Sequence, residues 1–170
     1  SNLGYNKVDA VVQRKAEYNV QWPEGSDSPA LASLTLTYTH PITVPDPGCD
    51  PTPRYGVGYA SMTERCYFDY LRVYAPPGSR LVDVDGLPPE EVTSTEADEG
   101  FQQFAGYFVL PTGETKRITF RYRLPEGLTP EGYRLVVQRQ AGVAQLPVRI
   151  EVGDREAEQT LMGNTRFVWP

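Results

Sequence analysis

From Ala10 to Trp22 the even positions read Ala10, Val12, Arg14, Ala16, Tyr18, Val20 and Trp22, while the odd positions read Gln13, Lys15, Glu17, Asn19 and Gln21. Side chains alternate across a strand, so this period of two predicts a strand with one buried and one wetted face. Turn-forming residues from Pro23 to Asp27 end it. The pattern returns at Leu34, Leu36 and Tyr38, continued to Ile42, with Thr35, Thr37 and Thr39 on the opposite side. Branched threonines suit a half-exposed pleated surface. The cleanest alternation is Ile118, Phe120, Tyr122 and Leu124 against Arg117, Thr119, Arg121 and Arg123. Further strands are predicted over Arg80 to Val84, Phe101 to Leu110 and Tyr133 to Gln138. Beyond Ala141-Gly142, a segment carrying Leu146, Val148, Ile150 and Val152 reads as the partner of the 133–138 strand. Residues 158–169, with Phe167 and Trp169, supply an edge strand.

Cys66 to Tyr74 is apolar on both faces and predicts a central strand, covered on both sides. Ahead of it, Val44 to Arg65 holds Pro45, Pro47, Gly48, Pro51, Pro53, Gly56 and Gly58 and reads as an ordered loop. Glu90 to Gly100 is an acidic stretch read as a second loop, and Pro125 to Gly132 is a third irregular stretch. No convincing helix is predicted. Strands at regular spacing, punctuated by Gly and Pro, give an all-β fold. The expected architecture is an antiparallel β-sandwich, Ig-like or jelly-roll-like, of about eight to ten strands, with residues 1–170 as one domain.

Composition narrows the partners. With 39% hydrophobic residues and 11% aromatics the chain can bury a core, which excludes wholesale disorder. Sixteen Lys and Arg, dispersed among twenty-two Asp and Glu, give a net charge of −6. That argues against nucleic acid. No apolar run is long enough to span a bilayer, and Ser1-Asn2-Leu3 lacks the basic and apolar regions of a signal peptide. The segment reads as a domain excised from a larger protein, with Ser1-Asn2 a scar of tag removal. Any membrane association is then expected only through an upstream anchor.

Cys49 and Cys66 are the only cysteines, and they flank much of the proline-rich loop. A disulfide between them would staple that loop to the following strand, contribute on the order of 3 kcal/mol, and require an oxidising compartment. His40 is the only histidine, so catalytic triads and multi-histidine metal sites would have to be built around it alone. It falls in register with Leu34, Leu36 and Tyr38 and reads as a structural residue at a strand end. The carboxylates Glu90, Glu91, Glu96, Asp98 and Glu99 read as a solvated face, since nothing marks two of them as facing each other across a cleft. Asp83-Val84-Asp85-Gly86 resembles the opening of a calcium loop, but the later ligands are not in place, and a turn is the expected reading. Tyr55, Tyr59, Tyr67, Tyr70 and Tyr74 cluster in or beside the disulfide loop. Most are expected in the core, with Tyr55 and Tyr59 the candidates for ligand contact. No metal and no cofactor is expected.

Several segments together resemble one family. They are Asn6-Lys7-Val8-Asp9, the run Tyr70-Leu71-Arg72-Val73-Tyr74-Ala75-Pro76-Pro77-Gly78-Ser79, the Gly100-Phe101 to Phe108 strand, the Gly113-Glu114-Thr115 turn, and Tyr133-Arg134-Leu135 to Gln138-Arg139-Gln140-Ala141-Gly142. Across most of residues 5–152 the chain is similar to the C-terminal portion of the bacterial family catalogued as domain of unknown function 4012, although Ala141 stands where proline is more usual. The resemblance implies an extracytoplasmic position behind an N-terminal membrane anchor and a larger domain, and it transfers no catalytic residue. The expectation is therefore a non-enzymatic binding or structural module of a cell-surface protein, in contact with protein or envelope polysaccharide. The alternative is a carbohydrate-binding module that uses exposed tyrosines.

Overall fold

The computed structural model describes residues 3, 4, 6–23, 28–46, 49–53, 58–138 and 143–168. It is a two-layer β-sandwich, and the strands follow the alternation seen in the sequence. One layer is a six-stranded sheet built on β1 (Gln13–Gln21) and β2 (Leu31–Thr39). Among the described residues the chain then makes a short helix α1 (Tyr59–Thr63), followed by β3 (Tyr67–Ala75), β4 (Arg80–Asp85), β5 (Thr93–Glu96), β6 (Gln102–Leu110) and β7 (Thr115–Arg123). The last strands are β8 (Arg134–Val137), β9 (Leu146–Val152), β10 (Arg155–Leu161) and β11 (Thr165–Val168). The large sheet runs β10-β9-β1-β2-β7-β4. Every neighbouring pair in it is antiparallel except β1 and β9, which are parallel with Ala16 opposite Val148.

A three-stranded sheet, β3-β6-β5, and a two-stranded ribbon, β11-β8, form the second layer. Both cover the same face of the large sheet. That face carries Tyr18 and Trp22 on β1 and just beyond it, Tyr38 on β2 and Tyr122 on β7. Tyr38 packs on Phe108 at 4.9 Å between ring centres, and Tyr122 on Phe104 at 5.3 Å. At the other end the Tyr18 hydroxyl shares a 2.7 Å hydrogen bond with that of Tyr133, whose ring meets Trp22 edge-on. Burial pushes the pKa of the Tyr18 phenol well above its ordinary value, so the pair is neutral and one hydroxyl donates to the other.

Arg14 falls on the buried face, where the alternation put it. Its guanidinium pairs with Asp9, donates to the Val12 carbonyl at 2.9 Å and lies over the Tyr67 ring at 5.3 Å. A buried cation is tolerable only with such partners.

Several expectations change. Ala10 belongs to a 3-10 turn (Val8–Ala10), so β1 starts three residues later than the alternation implied. The Cys66 strand is an edge of its sheet rather than its centre. Only its first half is buried on both sides, with the Leu3 amide donating to the Phe68 carbonyl along the edge. The 133–138 and 146–152 segments are not partners: β8 pairs β11 and β9 pairs β1 and β10, so the terminal region supplies two strands instead of one. The proline-rich loop contains α1, too short to leave a helical period.

Candidate functional site

The cysteine loop is held from several sides. Cys49 and Cys66 are joined, with Cα atoms 4.9 Å apart. Cys66 is buried, and its carbonyl accepts from the Asn6 amide at 3.1 Å. The Arg65 side chain is buried against the loop. It donates to the carbonyls of Asp50 and Thr52, at 2.5 and 3.3 Å, and lies 3.5 Å from the Asp50 carboxylate. Nothing in the sequence set Arg65 apart from the other basic residues.

His40 is the strand-end structural residue expected. It is buried, its Nδ1 accepts the Ile42 amide at 3.3 Å, and its Nε2 therefore donates to the Arg65 carbonyl at 2.9 Å. Burial lowers its pKa, outweighing those backbone bonds.

Tyr59 opens α1 and is 63% exposed, as expected of a ligand-contact candidate. Tyr55, its intended companion, lies outside the described residues. The rest of the tyrosine cluster divides. Tyr67 is fully buried, while Tyr70 is half-buried and Tyr74 is 58% exposed. Tyr59 lies on α1, ahead of β3, whereas Tyr74 lies near the far end of β3.

The structure instead gathers aromatics on the outward face of the three-stranded sheet. Residues directly opposite in a ladder share a face. Tyr70 pairs Tyr107, Arg72 pairs Ala105 and Tyr74 pairs Gln103. Phe101, two residues before Gln103, continues the same side and is 41% exposed. The Arg72 guanidinium lies over the Tyr70 ring at 4.8 Å. Partial burial raises the Tyr107 phenol, so this ring is neutral at physiological pH. Beside Tyr74 the face dips into a depression of about 340 Å³ lined by Tyr74, Glu96, Ala97, Asp98, Glu99, Phe101 and Gln103. The β5–β6 hairpin builds its rim: Glu96 pairs Gln102, and Glu99 takes a left-handed conformation, φ 61°.

The acidic stretch is therefore a strand and two 3-10 turns rather than a loop. Its carboxylates are all exposed, as the solvated reading required. Only the position of Tyr74 in the alternation of β3 hinted at this face. Thr93-Ser94-Thr95-Glu96 is exposed throughout and carries no apolar period to mark it as a strand.

The Asp83-Val84-Asp85 segment ends β4 and is not itself a turn. The chain turns at Gly86, where φ is 83° and a Cβ would stand 2.1 Å from the Arg117 carbonyl oxygen. Asp83 accepts from the Arg121 guanidinium with both oxygens, at 3.1 and 3.0 Å. Among the described residues no group of three His, Cys, Asp or Glu side chains is placed to hold a metal.

No family model matches the chain, and no curated protein matches it. Among solved structures it is similar to an M1 zinc metallopeptidase from Deinococcus radiodurans, at 13% identity and a TM-score of 0.35. A mutant of that enzyme bound to a Tyr-Ser-Ala substrate matches at 13% identity and a TM-score of 0.32. Both alignments cover 82% of this chain and 32% of the other, so the chain spans about a third of the metallopeptidase's length. A likeness this distant bears on neither activity nor ligand.

Proposed function

We propose that this domain is a non-enzymatic, extracytoplasmic contact module of a bacterial cell-surface protein, and that its contact surface is the outward face of β3, β6 and β5. The observation that carries the reading is the outward row of Tyr70, Tyr107, Tyr74 and Phe101 on one open sheet face. Aromatic rings are large, stiff and amphipathic, and contiguous exposed rings mark surfaces that meet partners. The Cys49–Cys66 bridge supports an oxidising compartment. No helix among the described residues is long and apolar enough to cross a membrane. The resemblance to the family of domain of unknown function 4012 supports reading the module as lying behind an upstream anchor.

The non-enzymatic part rests on the carboxylates. A general acid at neutral pH needs burial or a close like charge to hold its proton. Glu90, Glu91, Glu96, Asp98 and Glu99 are all in solvent.

The test is retention on insoluble bacterial cell walls, comparing the native domain with a Tyr74→Ser/Tyr107→Ser double variant. Native retention that falls about tenfold or more in the variant, with an unchanged melting temperature, is the expected result. Equal retention of the two proteins, or none by either, overturns the proposal. A carbohydrate-binding module is the second reading. Tyr74 and Phe101 flank a depression whose carboxylates and Gln103 amide suit sugar hydroxyls. A glycan array that binds the native domain and not the variant would favour it.

A further inference from the structure

We propose that the depression at the Tyr74 end of this face receives a basic, extended peptide segment of a partner protein, with an arginine or lysine side chain laid across the Tyr74 and Phe101 rings. The inference rests on the reading of this face as a contact surface and names its occupant. The molecule already shows the mode of contact, since Arg72 lies over Tyr70 at 4.8 Å. Tyr74 is two residues further along the same strand and on the same side, and its ring is open to solvent. A cation above an aromatic face is attracted by the ring's electron density, and more strongly when carboxylates stand beside it.

The carboxylates are there. Glu96, Asp98 and Glu99 line the depression together with neutral Ala97 and Gln103, and no lysine or arginine does. Among the described residues none of these three carboxylates is in an ion pair. Carboxylates on the outer face of the large sheet are compensated from within: Glu17 by Arg117 at 3.2 Å and Glu151 by Arg149 at 2.8 Å. The rim of the depression is thus negative charge left for a partner to meet. A neutral sugar can donate hydroxyl hydrogen bonds to these carboxylates but leaves their charge unmatched, whereas a guanidinium or ammonium gains from both ring and rim. The chain's net charge of −6 also draws a cationic segment in at longer range. A volume of about 340 Å³ holds one long basic side chain with the backbone on either side, and its shallow form suits a segment lying across it.

The experiment titrates the isotopically labelled domain, followed by NMR, with three probes. They are a peptide alternating arginine and serine, the same peptide with every arginine replaced by neutral citrulline, and a chitosan oligomer carrying amines on sugar rings. The expected result is that the arginine peptide shifts the amides of Tyr74 and of residues 96–103. Citrulline should weaken binding about tenfold or more, as should a rise from about 0.05 to 0.5 M salt. Tyr74→Ala, and separately Asp98→Asn with Glu99→Gln, should each cost about fivefold or more in affinity while leaving the melting temperature unchanged.

Equal binding of the citrulline peptide overturns the inference, as does preference for chitosan, although both leave the face standing as a contact surface. Shifts confined to other parts of the domain, or no shift with the arginine peptide at millimolar concentration, also overturn it. The cell-wall retention experiment then reports independently on the broader reading.

Discussion

At the residue scale His40 links the second strand to the cysteine loop. Its two ring nitrogens are committed in opposite senses, one accepting from Ile42 and one donating to the Arg65 carbonyl. Protonation would turn the acceptor into a second donor facing an amide hydrogen, and the buried site would have to hold a charge. The folded-state pKa is accordingly below the ordinary 6.5, with burial the main cause. A histidine with a depressed folded pKa binds fewer protons folded than unfolded, so the unfolded chain is favoured once it begins to protonate. Stability should therefore be level above about pH 7 and decline as pH falls through 6.5 towards the folded value. Chemical denaturation of the native domain from pH 8 to pH 5 should show this decline, and His40→Gln, which keeps a donor for the Arg65 carbonyl, should flatten it. A slope that survives in the variant would assign the effect to other groups. Glu17 cannot mimic it, because its pKa is lowered from 4.5, chiefly by a hydrogen bond from Lys15, and its contribution is lost only in more acidic solution.

At the scale of elements, the cysteine loop shows what a sequence can and cannot convey. That the two cysteines pair was legible from the proline-rich loop they flank, and that His40 is structural from its being the only histidine and in register with Leu34, Leu36 and Tyr38. That Arg65 binds the loop from inside does not follow, because it stands in no alternating run that would mark its face, as Arg14 does. Strands with one wet face were legible, as β1 and β7 show: Tyr18 and Val20, and Phe120 and Tyr122, point inward as their alternation required. Pairing was not. The parallel contact of β1 with β9 joins residues 132 apart, Ala16 and Val148, and no local signal encodes it. The candidate face was half legible, since Tyr74 lay in the expected cluster but its neighbours Tyr107 and Phe101 come from a strand distant in sequence. The loop itself yields a prediction. A bridge spanning 17 positions constrains the unfolded chain by about 3 kcal/mol, so the Cys49→Ala/Cys66→Ala variant should melt about 6–12 °C lower. Calorimetry of the native and doubly substituted proteins checks this. A drop of only a degree or two would mean that Arg65 and His40 hold the loop unaided.

At the scale of the whole molecule the two layers are unequally built. In the large sheet β1 and β2 have strands on both sides, so their backbone groups are bonded on both edges and exchange only when the sheet comes apart. In the opposite layer β8 and β11, each four residues long, pair with each other as a two-stranded ribbon. A two-stranded ribbon is marginal in water, so this one depends on what its inner side chains find beneath it. Leu135, Val137 and Phe167 pack on the core, and Tyr133 reaches Tyr18 and Trp22, while the outer side shows Val136 and Val168 to solvent. Such a ribbon can lift from the sandwich without unfolding it, since opening exposes a few apolar side chains and leaves the backbone ladders of the large sheet in place. Native-state hydrogen exchange should therefore place the amides of β8 and β11 well below those of β1, β2 and β7 in protection. Phe167→Ala should lower the ribbon's protection further, by about 2–3 kcal/mol, while lowering that of β1 and β2 by less. The difference between the two regions is what decides the matter. If all strands exchange with one common free energy, and Phe167→Ala lowers all of them equally, then the ribbon is an integral part of a single cooperative unit. If they separate, and the amides of β3 and β6 are protected as well as those of the large sheet, the outward face of the second layer consists of a firm portion, which carries Tyr74 and its depression, beside a portion that opens on its own. The aromatic face would then belong to the portion able to present fixed rings to a partner.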